Sequence, residues 1–184
     1  MSSRLYWLLA TLLTAVVVHL SFVLFAPKLV MAERLQAIRA AVGDTSLKVL
    51  TPGQTLRLIG EEGEGLVHAL CFYDLDNGPV MVTAVIPPSY WSISIYSASG
   101  DNFYSFNDRQ ADVGRLAILL RRDRTVVAEV DDGVGSEAPS GDTLEVFPPE
   151  PRGIVVFRAL AGEAADRAGT AAELARSTCA PSRN

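Results

Sequence analysis

The chain has 184 residues, of which 49% are hydrophobic and 20% are charged, a composition typical of a single globular domain. Its formal net charge is -5. This balance argues against a nucleic-acid partner, because phosphate binding needs a basic face and the sequence shows none. Residues 44–184 are numerous enough to bury a hydrophobic core.

The run over residues 5–25 is apolar and contains no Asp, Glu, Lys or Arg. A helix of this length spans roughly 30 Å, the thickness of the hydrocarbon core of a bilayer, so residues 1–27 are predicted to be a membrane anchor. A cleaved signal peptide is the alternative, because residues 30–32 form an A-x-A-like site before Glu33. The apolar run is longer than that of a signal peptide and only Arg4 precedes it, which favours an uncleaved anchor.

Two features of the sequence favour opposite orientations of the anchor in the membrane. Lys28, Arg34 and Arg39 follow the apolar run, and the positive-inside rule would place them in the cytoplasm. However, the short tail before Arg4 cannot form a domain, and two cysteines suit an oxidising compartment. We therefore expect the main domain to lie outside the cytoplasm.

A second helix is predicted directly after the anchor, over residues 28–43. Pro27 is compatible with the first turn of a helix, and Gly43 with a helix C-terminus. Apolar residues recur there at spacings of four, three and four, at Met31, Leu35, Ile38 and Val42. This segment is interpreted as a stalk whose apolar stripe packs against the domain or a partner.

The pattern after Gly43 is typical of strands. Residues 67–75 and 80–86 flank Asp-Asn-Gly-Pro at 76–79, a strong hairpin signal. Further strands are predicted at 55–59, 91–96, 103–106, 116–120, 125–130, 143–147 and 153–160, with loops at 60–65 and 131–141.

The last segment, residues 162–179, is rich in alanine at helical spacing and predicts a terminal helix. Strands followed by a flanking helix indicate an α+β fold. The predicted architecture is thus a transmembrane helix and a stalk helix, then a mostly antiparallel β domain with a C-terminal helix over residues 44–184.

Several segments together resemble a known family. They are residues 71–75, 78–80, 87–92 and 101–109, together with Cys179 and the Val18-His19 pair in the anchor. With these segments the chain resembles the short, membrane-anchored members of the bacterial domain-of-unknown-function family 1254. The resemblance implies a proteobacterial cell-envelope protein with one anchor. It implies no established activity and provides no catalytic residues.

Cys71 and Cys179 are the only cysteines. In an oxidising compartment they are predicted to form a disulfide between the first hairpin and the last helix. The chain-entropy model assigns about 4–5 kcal/mol to the closure of so long a loop. The alternative is one buried and one exposed free thiol. The sequence contains no C-x-x-C redox or zinc motif.

His19 lies within the apolar run. Ionisable groups at this depth are costly and tend to face a partner or a cavity. A contact with another helix is therefore the favoured interpretation. One alternative is a neutral histidine that is tolerated at a helix interface or at a lipid defect. Another is a histidine that binds a metal or haem.

Complete catalytic motifs are missing. A catalytic triad would need His68, but the sequence has no G-x-S-x-G elbow and no H-E-x-x-H motif. Residues 133–138 match G-x-G-x-x-A, yet Asp131 and Asp132 would repel a pyrophosphate and Pro139 stands where a helix should begin. We interpret this stretch as a loop, and we predict neither a cofactor nor a metal.

The best candidate surface is the segment over residues 90–109. Its aromatic rings, carboxylates and arginine are suited to a polar ligand such as a sugar. The candidate ligand-binding residues are Tyr90, Trp91, Asp101, Asn102, Tyr104, Asn107, Asp108 and Arg109. The structural alternative, which we favour, assigns the rings to the core and the polar residues to turns.

The sequence therefore favours a single-pass protein of the bacterial inner membrane with a non-catalytic interaction or accessory domain in the periplasm. Residues 5–25 provide the membrane contact, and a protein partner in the membrane or envelope is expected. The alternative is a small-molecule-binding domain or hydrolase that uses the surface over residues 90–109. A third hypothesis is a subunit of a larger membrane complex, docked through the face of His19.

Overall fold

A computed structural model describes residues 3–60, 65–110, 114–122, 143–161 and 166–182. In chain order the elements are α1 (Ser3–Val42), β1 (Leu47–Val49), α2 (Pro52–Leu58), β2 (Leu66–Asp74), β3 (Val80–Val85), β4 (Trp91–Ser97), β5 (Asn102–Asn107), β6 (Arg115–Leu120), β7 (Thr143–Val146), β8 (Arg152–Leu160), α3 (Asp166–Leu174) and β9 (Thr178–Pro181). The strand predicted at 125–130, the loop predicted at 131–141 and the G-x-G-x-x-A match within it lie outside the described residues.

Helix α1 is continuous and covers both the predicted anchor and the predicted stalk. Pro27 lies inside the helix instead of starting a second one. Proline removes one backbone hydrogen bond from a helix interior, but the helical spacing of apolar residues continues on both sides. The C-terminal end is held by packing, because Ile38 and Val42 are buried while residues 5–25 are largely exposed.

Helix α2 replaces the strand that the alternation at residues 55–59 predicted, so that prediction is wrong. Thr51 and Gln54 form a capping box, in which each side chain accepts a hydrogen bond from the backbone of the other residue. Pro52 occupies the first turn, where its missing N–H group has no cost. This local start signal decides in favour of a helix.

Within the described residues, the strands form two sheets. Sheet A has the order β1-β2-β8-β4-β5, and all its neighbouring pairs are antiparallel. Sheet B has the order β7-β6-β3-β9, with one parallel pair between β6 and β7. With the flanking helices, this mostly antiparallel arrangement confirms the predicted α+β class.

The predicted hairpin at residues 76–79 is wrong, because β2 lies in sheet A and β3 in sheet B. A short 3-10 turn, Leu75–Asn77, carries the chain from one sheet to the other, and Gly78 follows with a positive φ of 116°. Strand β2 is buried on both faces. The backbone N–H and C=O groups of such a buried strand cannot bind water, so they need partners on both edges. Strands β1 and β8 provide these partners. Strands β4 and β5, which were predicted at 91–96 and 103–106, pair as an antiparallel hairpin.

The hydrophobic core has two layers. The inner faces of sheets A and B pack on each other around Tyr73, Val82, Ile95, Ile118 and Phe157. The outer face of sheet A forms a second core with α1 and α2, built from Ile38, Val42, Leu50, Leu58, Leu70, Phe72, Ile154 and Val156. The C-terminal end of α1 is therefore part of the folded domain.

The C-terminal helix is shorter than predicted, because α3 ends at Leu174 and Cys179 lies on β9. Cys71 and Cys179 form a disulfide with a Cα–Cα distance of 6.3 Å. Because Cys71 belongs to β2, the bridge joins sheet A to sheet B instead of joining a hairpin to a helix.

Candidate functional site

The aromatic members of the predicted ligand surface point in different directions. Trp91 is buried in the core between the sheets. Tyr104 packs against the same core, and its ring centroid lies 4.9 Å from that of Phe106. Tyr90, by contrast, remains 47% exposed. These rings therefore form no shared stacking platform.

The polar members of that surface lie at opposite ends of the β4–β5 hairpin. Asp101 and Asn102 are at the turn, whereas Asn107 ends β5 and Asp108 and Arg109 follow it. Asn102 and Asn107 are the first and last residues of β5, five positions apart, which is about 17 Å along the strand. The Asn107 side chain accepts a hydrogen bond from the Arg109 backbone N–H at 3.0 Å, which stabilises the turn. A ligand role for the eight residues stays a prediction, and the described geometry does not gather them.

A cleft of about 240 Å³ lies between the two N-terminal helices and the outer face of sheet A. The segment over residues 90–109 contributes to it through Tyr96 and Gly100. The lining residues are Met31, Arg34, Ile38, Leu58, Ile59, Tyr96, Gly100, Ile154, Val156 and Arg158. Met31 and Arg34 of α1 line the cleft, so it lies directly beside that helix.

The cleft combines an apolar floor with basic groups. The Nη1 atom of Arg34 donates to the backbone oxygen of Leu58 at 3.3 Å, which holds α1 beside α2. Arg158 lies near the C-terminal end of β8, and its Nη1 atom donates to Oγ of Ser94 at 3.5 Å. No carboxylate is present among the described residues that line the cleft. The cleft is thus mostly apolar and carries two guanidinium groups, each with a hydrogen-bond partner in the described part of the chain.

The β4–β5 turn fits closely against α1 and closes one side of the cleft. Gly100 has a positive φ of 91°, and a Cβ atom there would lie 3.1 Å from Cγ of Met31. The side chain of Glu150 accepts hydrogen bonds from the Ser99 backbone N–H, at 2.8 Å, and from the Ser99 hydroxyl. The turn is thus tied to the body of the domain on one side and to α1 on the other.

A larger apolar groove of about 700 Å³ continues from the cleft along α1. Both spaces are lined by Met31, Arg34 and Gly100. The groove extends to Phe22 and Val23, which belong to the predicted span. A single surface therefore leads from the exposed apolar part of α1 to the basic cleft.

The two histidines have different environments. His68 is fully buried on β2, directly opposite Arg158 in the register of sheet A. Within the described residues, no group of His, Cys, Asp and Glu is arranged to hold a metal ion. His19 is exposed on α1, so its predicted contact with a partner helix stays a prediction.

Sequence analysis did not identify Arg34 and Arg158 as members of one site. A weak signal was present, because Arg158 interrupts the otherwise apolar strand β8 at a position that alternates with inward-facing residues. Arg34 follows the last exposed apolar residues of α1 by one turn. Their proximity depends on the packing of α1 on sheet A, which no local pattern encodes.

Comparison with known proteins gives a family and a fold. No functionally curated protein matches the chain. The chain is similar to the VPA0106 protein of Vibrio parahaemolyticus, with 11% identity and a TM-score of 0.58 over 82% of this chain and 35% of that one. A putative uncharacterized protein from Burkholderia cenocepacia matches with 12% identity and a TM-score of 0.46, over 71% of this chain and 34% of that one.

The chain thus spans about a third of each of these solved structures, and the likeness to VPA0106 concerns the fold alone. A model of one family, described as a protein of unknown function (DUF1254), matches residues 47–181. This range begins at β1 and ends at β9, so it covers both sheets. The predicted resemblance is confirmed, and the chain belongs to the DUF1254 family.

Proposed function

We propose that this chain is a single-pass, membrane-anchored cell-envelope protein whose sandwich domain is a non-catalytic interaction module held at the membrane surface. The observation that carries the proposal is the continuity of α1. One helix of 40 residues begins with exposed apolar side chains and ends with Ile38 and Val42 buried in the domain core.

The N-terminal part of α1 has the properties of a membrane span. Its mean hydropathy reaches 2.4 over an 18-residue window, and none of that window is buried within the fold. A helix of 20 residues is about 30 Å long, which suffices to cross the hydrocarbon core. An uncovered apolar surface of this size needs lipid or a protein partner to exclude water.

The junction between the anchor and the domain supports a fixed arrangement. The C-terminal turns of α1 pack on Phe72 of β2 and on α2 without an intervening linker. Lys48 donates to the backbone oxygen of Ala41 at 2.7 Å, which ties the end of α1 to β1. A domain held in this way presents a constant face to neighbours in the same membrane.

The disulfide supports a location outside the cytoplasm. Cys71 and Cys179 are buried and bonded across the sandwich. Structural disulfides persist in oxidising compartments such as the bacterial periplasm. We therefore propose the inner membrane as the location of the anchor and the periplasm as that of the domain.

A protein partner in the membrane is proposed to contact the face of His19. A histidine at this depth is costly in lipid and gains from a polar neighbour on another helix. This contact would make the chain a subunit of a larger membrane complex.

Photo-crosslinking in intact cells tests the partner proposal. A photoreactive residue at position 19 is compared with one at position 17, which lies on nearly the opposite side of the same helix. We expect an adduct of defined mass from position 19 and none from position 17. Equal adducts from both positions, or none from either, would contradict the partner contact.

Fractionation tests the anchor separately. Membranes that contain the full chain are washed with alkaline carbonate, which removes peripheral proteins. We expect the chain to stay in the pellet with residues 1–32 still attached, as measured by intact mass. A mature chain that begins at Glu33 and is found in the soluble fraction would overturn the proposed anchorage.

A further inference from the structure

The side of α1 that carries His19 continues into the apolar groove beside the β4–β5 turn. On α1 that groove is lined by Phe22, Val23, Ala26 and Val30, among others. These residues follow His19 by three, four, seven and eleven positions, which places them on the same side of a helix. The face proposed above for a partner and the groove are therefore one surface, which extends about 16 Å from His19 to Val30.

This surface needs an occupant that is mostly apolar but offers a polar group to His19. His19 is the only Asp, Glu, Lys, Arg or His in residues 5–25, and its side chain is exposed on α1. A lipid acyl chain would fill the groove but would leave the imidazole without a hydrogen bond in the hydrocarbon layer, which costs free energy. A second helix covers the apolar residues and also supplies a polar neighbour.

The spacing of residues on this side of α1 suits a parallel pair of helices. Ala15, His19, Phe22 and Ala26 are separated by four, three and four positions, which is the seven-residue repeat of left-handed helix pairs. The two alanines lie on either side of His19 along the helix. Small residues let two helix backbones approach closely within a membrane, so the pair would be closest around His19.

A second copy of this chain matches the chemistry of His19. Identical chains insert in the same orientation, so a two-fold axis along the membrane normal brings position 19 of one copy opposite position 19 of the other. A neutral imidazole carries one N–H donor and one nitrogen acceptor, so two of them form a hydrogen bond with each other. A carboxylate or an ammonium group has no such complementarity to its own copy.

We propose that the partner at the His19 face is a second copy of this chain, paired through parallel α1 helices over residues 15–26. The inference rests on the anchorage and the partner contact proposed above, and it names that partner. Each helix also enters the groove of the other copy, which Ser99 and Gly100 of the β4–β5 turn complete. The pairing thus holds the two domains side by side on the membrane.

Cysteine crosslinking of the full chain in native membranes tests the pairing. The native cysteines are bonded to each other, so one added cysteine supplies the free thiol. We expect an oxidant to link Ala15→Cys or Ala26→Cys into a species of twice the mass of the 19.8 kDa chain. Leu13→Cys and Leu24→Cys are the matched controls, because each lies two positions from one of those alanines and on nearly the opposite side of α1. Equal linkage at all four positions, or none at 15 and 26, would overturn the proposal.

A second set of variants tests the histidine pair. His19→Leu removes the hydrogen bond and is expected to weaken dimerisation by about three- to tenfold, as measured by sedimentation equilibrium in density-matched detergent. His19→Asn keeps a donor and an acceptor and should retain most of the affinity. Circular dichroism verifies that each variant is folded. A His19→Leu variant that dimerises as tightly as the unaltered chain would contradict the pair.

The result for the second copy is distinct from the result for the proposed function. A photo-adduct at position 19 whose mass is not twice that of the chain would identify a different protein at this face. That outcome rejects the second copy and leaves the partner contact in place. Failure of the anchorage is measured by carbonate extraction and not by crosslinking.

Discussion

Gly153 of β8 lies directly opposite Tyr73 of β2, and the Tyr73 ring occupies the space where a side chain at position 153 would stand. The Tyr73 hydroxyl passes over this glycine and donates to the backbone oxygen of Tyr96 on β4 at 3.2 Å. Burial, with a smaller effect from Glu150, raises the pKa of the Tyr73 phenol above its ordinary range, so the group remains a donor. This contact links three neighbouring strands of sheet A.

Gly153→Ala is expected to destabilise the domain by about 1–3 kcal/mol, because the new methyl group would overlap the Tyr73 ring and the Tyr96 backbone. Thermal unfolding of the full chain in detergent measures the effect. The matched control is Gly169→Ala in α3, where no atom lies within 4 Å of the added Cβ. That change should raise stability by about 0.5–1 kcal/mol. A Gly153→Ala variant as stable as the unaltered chain would contradict the packing.

Removal of the disulfide by Cys71→Ala with Cys179→Ala is expected to lower the free energy of unfolding by about 4–5 kcal/mol on the chain-entropy model. The bridge closes a sequence separation of 108 residues and fastens the terminal strand β9 to sheet A. Denaturant unfolding measures the loss. Non-reducing gels of the unaltered chain provide the control, and two thiols that are freely alkylated without reductant would refute the bridge.

The ion pair at the end of α1 predicts a pH dependence. Nε of Arg39 lies 2.5 Å from Oδ1 of Asp44, and this hydrogen bond holds the pKa of the Asp44 carboxyl below its ordinary value. A carboxyl whose pKa is lower in the folded state stabilises above its unfolded pKa, and this contribution is lost as the pH falls through the folded pKa. Side-chain carboxyl NMR should show the Asp44 titration move to higher pH in Arg39→Gln. An unchanged midpoint would contradict the pair.

The capping box of α2 predicts that one substitution lowers the stability of the domain slightly and a neighbouring one does not. Thr51→Ala removes the side-chain acceptor for the Gln54 backbone N–H and is expected to cost about 1 kcal/mol. Gln54→Glu keeps the acceptor for the Thr51 backbone N–H and should be nearly neutral. Thermal unfolding distinguishes them. Equal losses in both variants would show that the cap does not hold α2.

The local patterns predicted many elements well. The strands β3, β4, β5, β6 and β8 lie within a few residues of their predicted positions. These strands alternate or are bounded by turn residues, so the signal lies within each segment. Helix α2 was missed because the prediction followed the alternation at residues 55–59. The capping box of Thr51 and Gln54 lies just before that stretch and was not used.

The candidate site was predicted less well than the strands, because its position depends on how distant elements pack together. The segment over residues 90–109 was rich in aromatic and polar residues, yet the alternation of β4 sends Trp91 into the core and Tyr96 to the cleft. Arg34 and Arg158 come from distant parts of the chain. Side-chain type identifies chemistry, but only packing between elements brings the groups together.

The sequence by itself determined the long apolar N-terminal run, the α+β class, the family and the pair of cysteines, because each depends on composition, on spacing along the chain or on matching residues. Tertiary structure alone decided that β2 and β3 belong to different sheets, that α1 runs unbroken into the core, and that a basic cleft opens beside α1. These outcomes depend on contacts between residues far apart in sequence. Their free energy arises from buried surface, which exists only after the elements have packed.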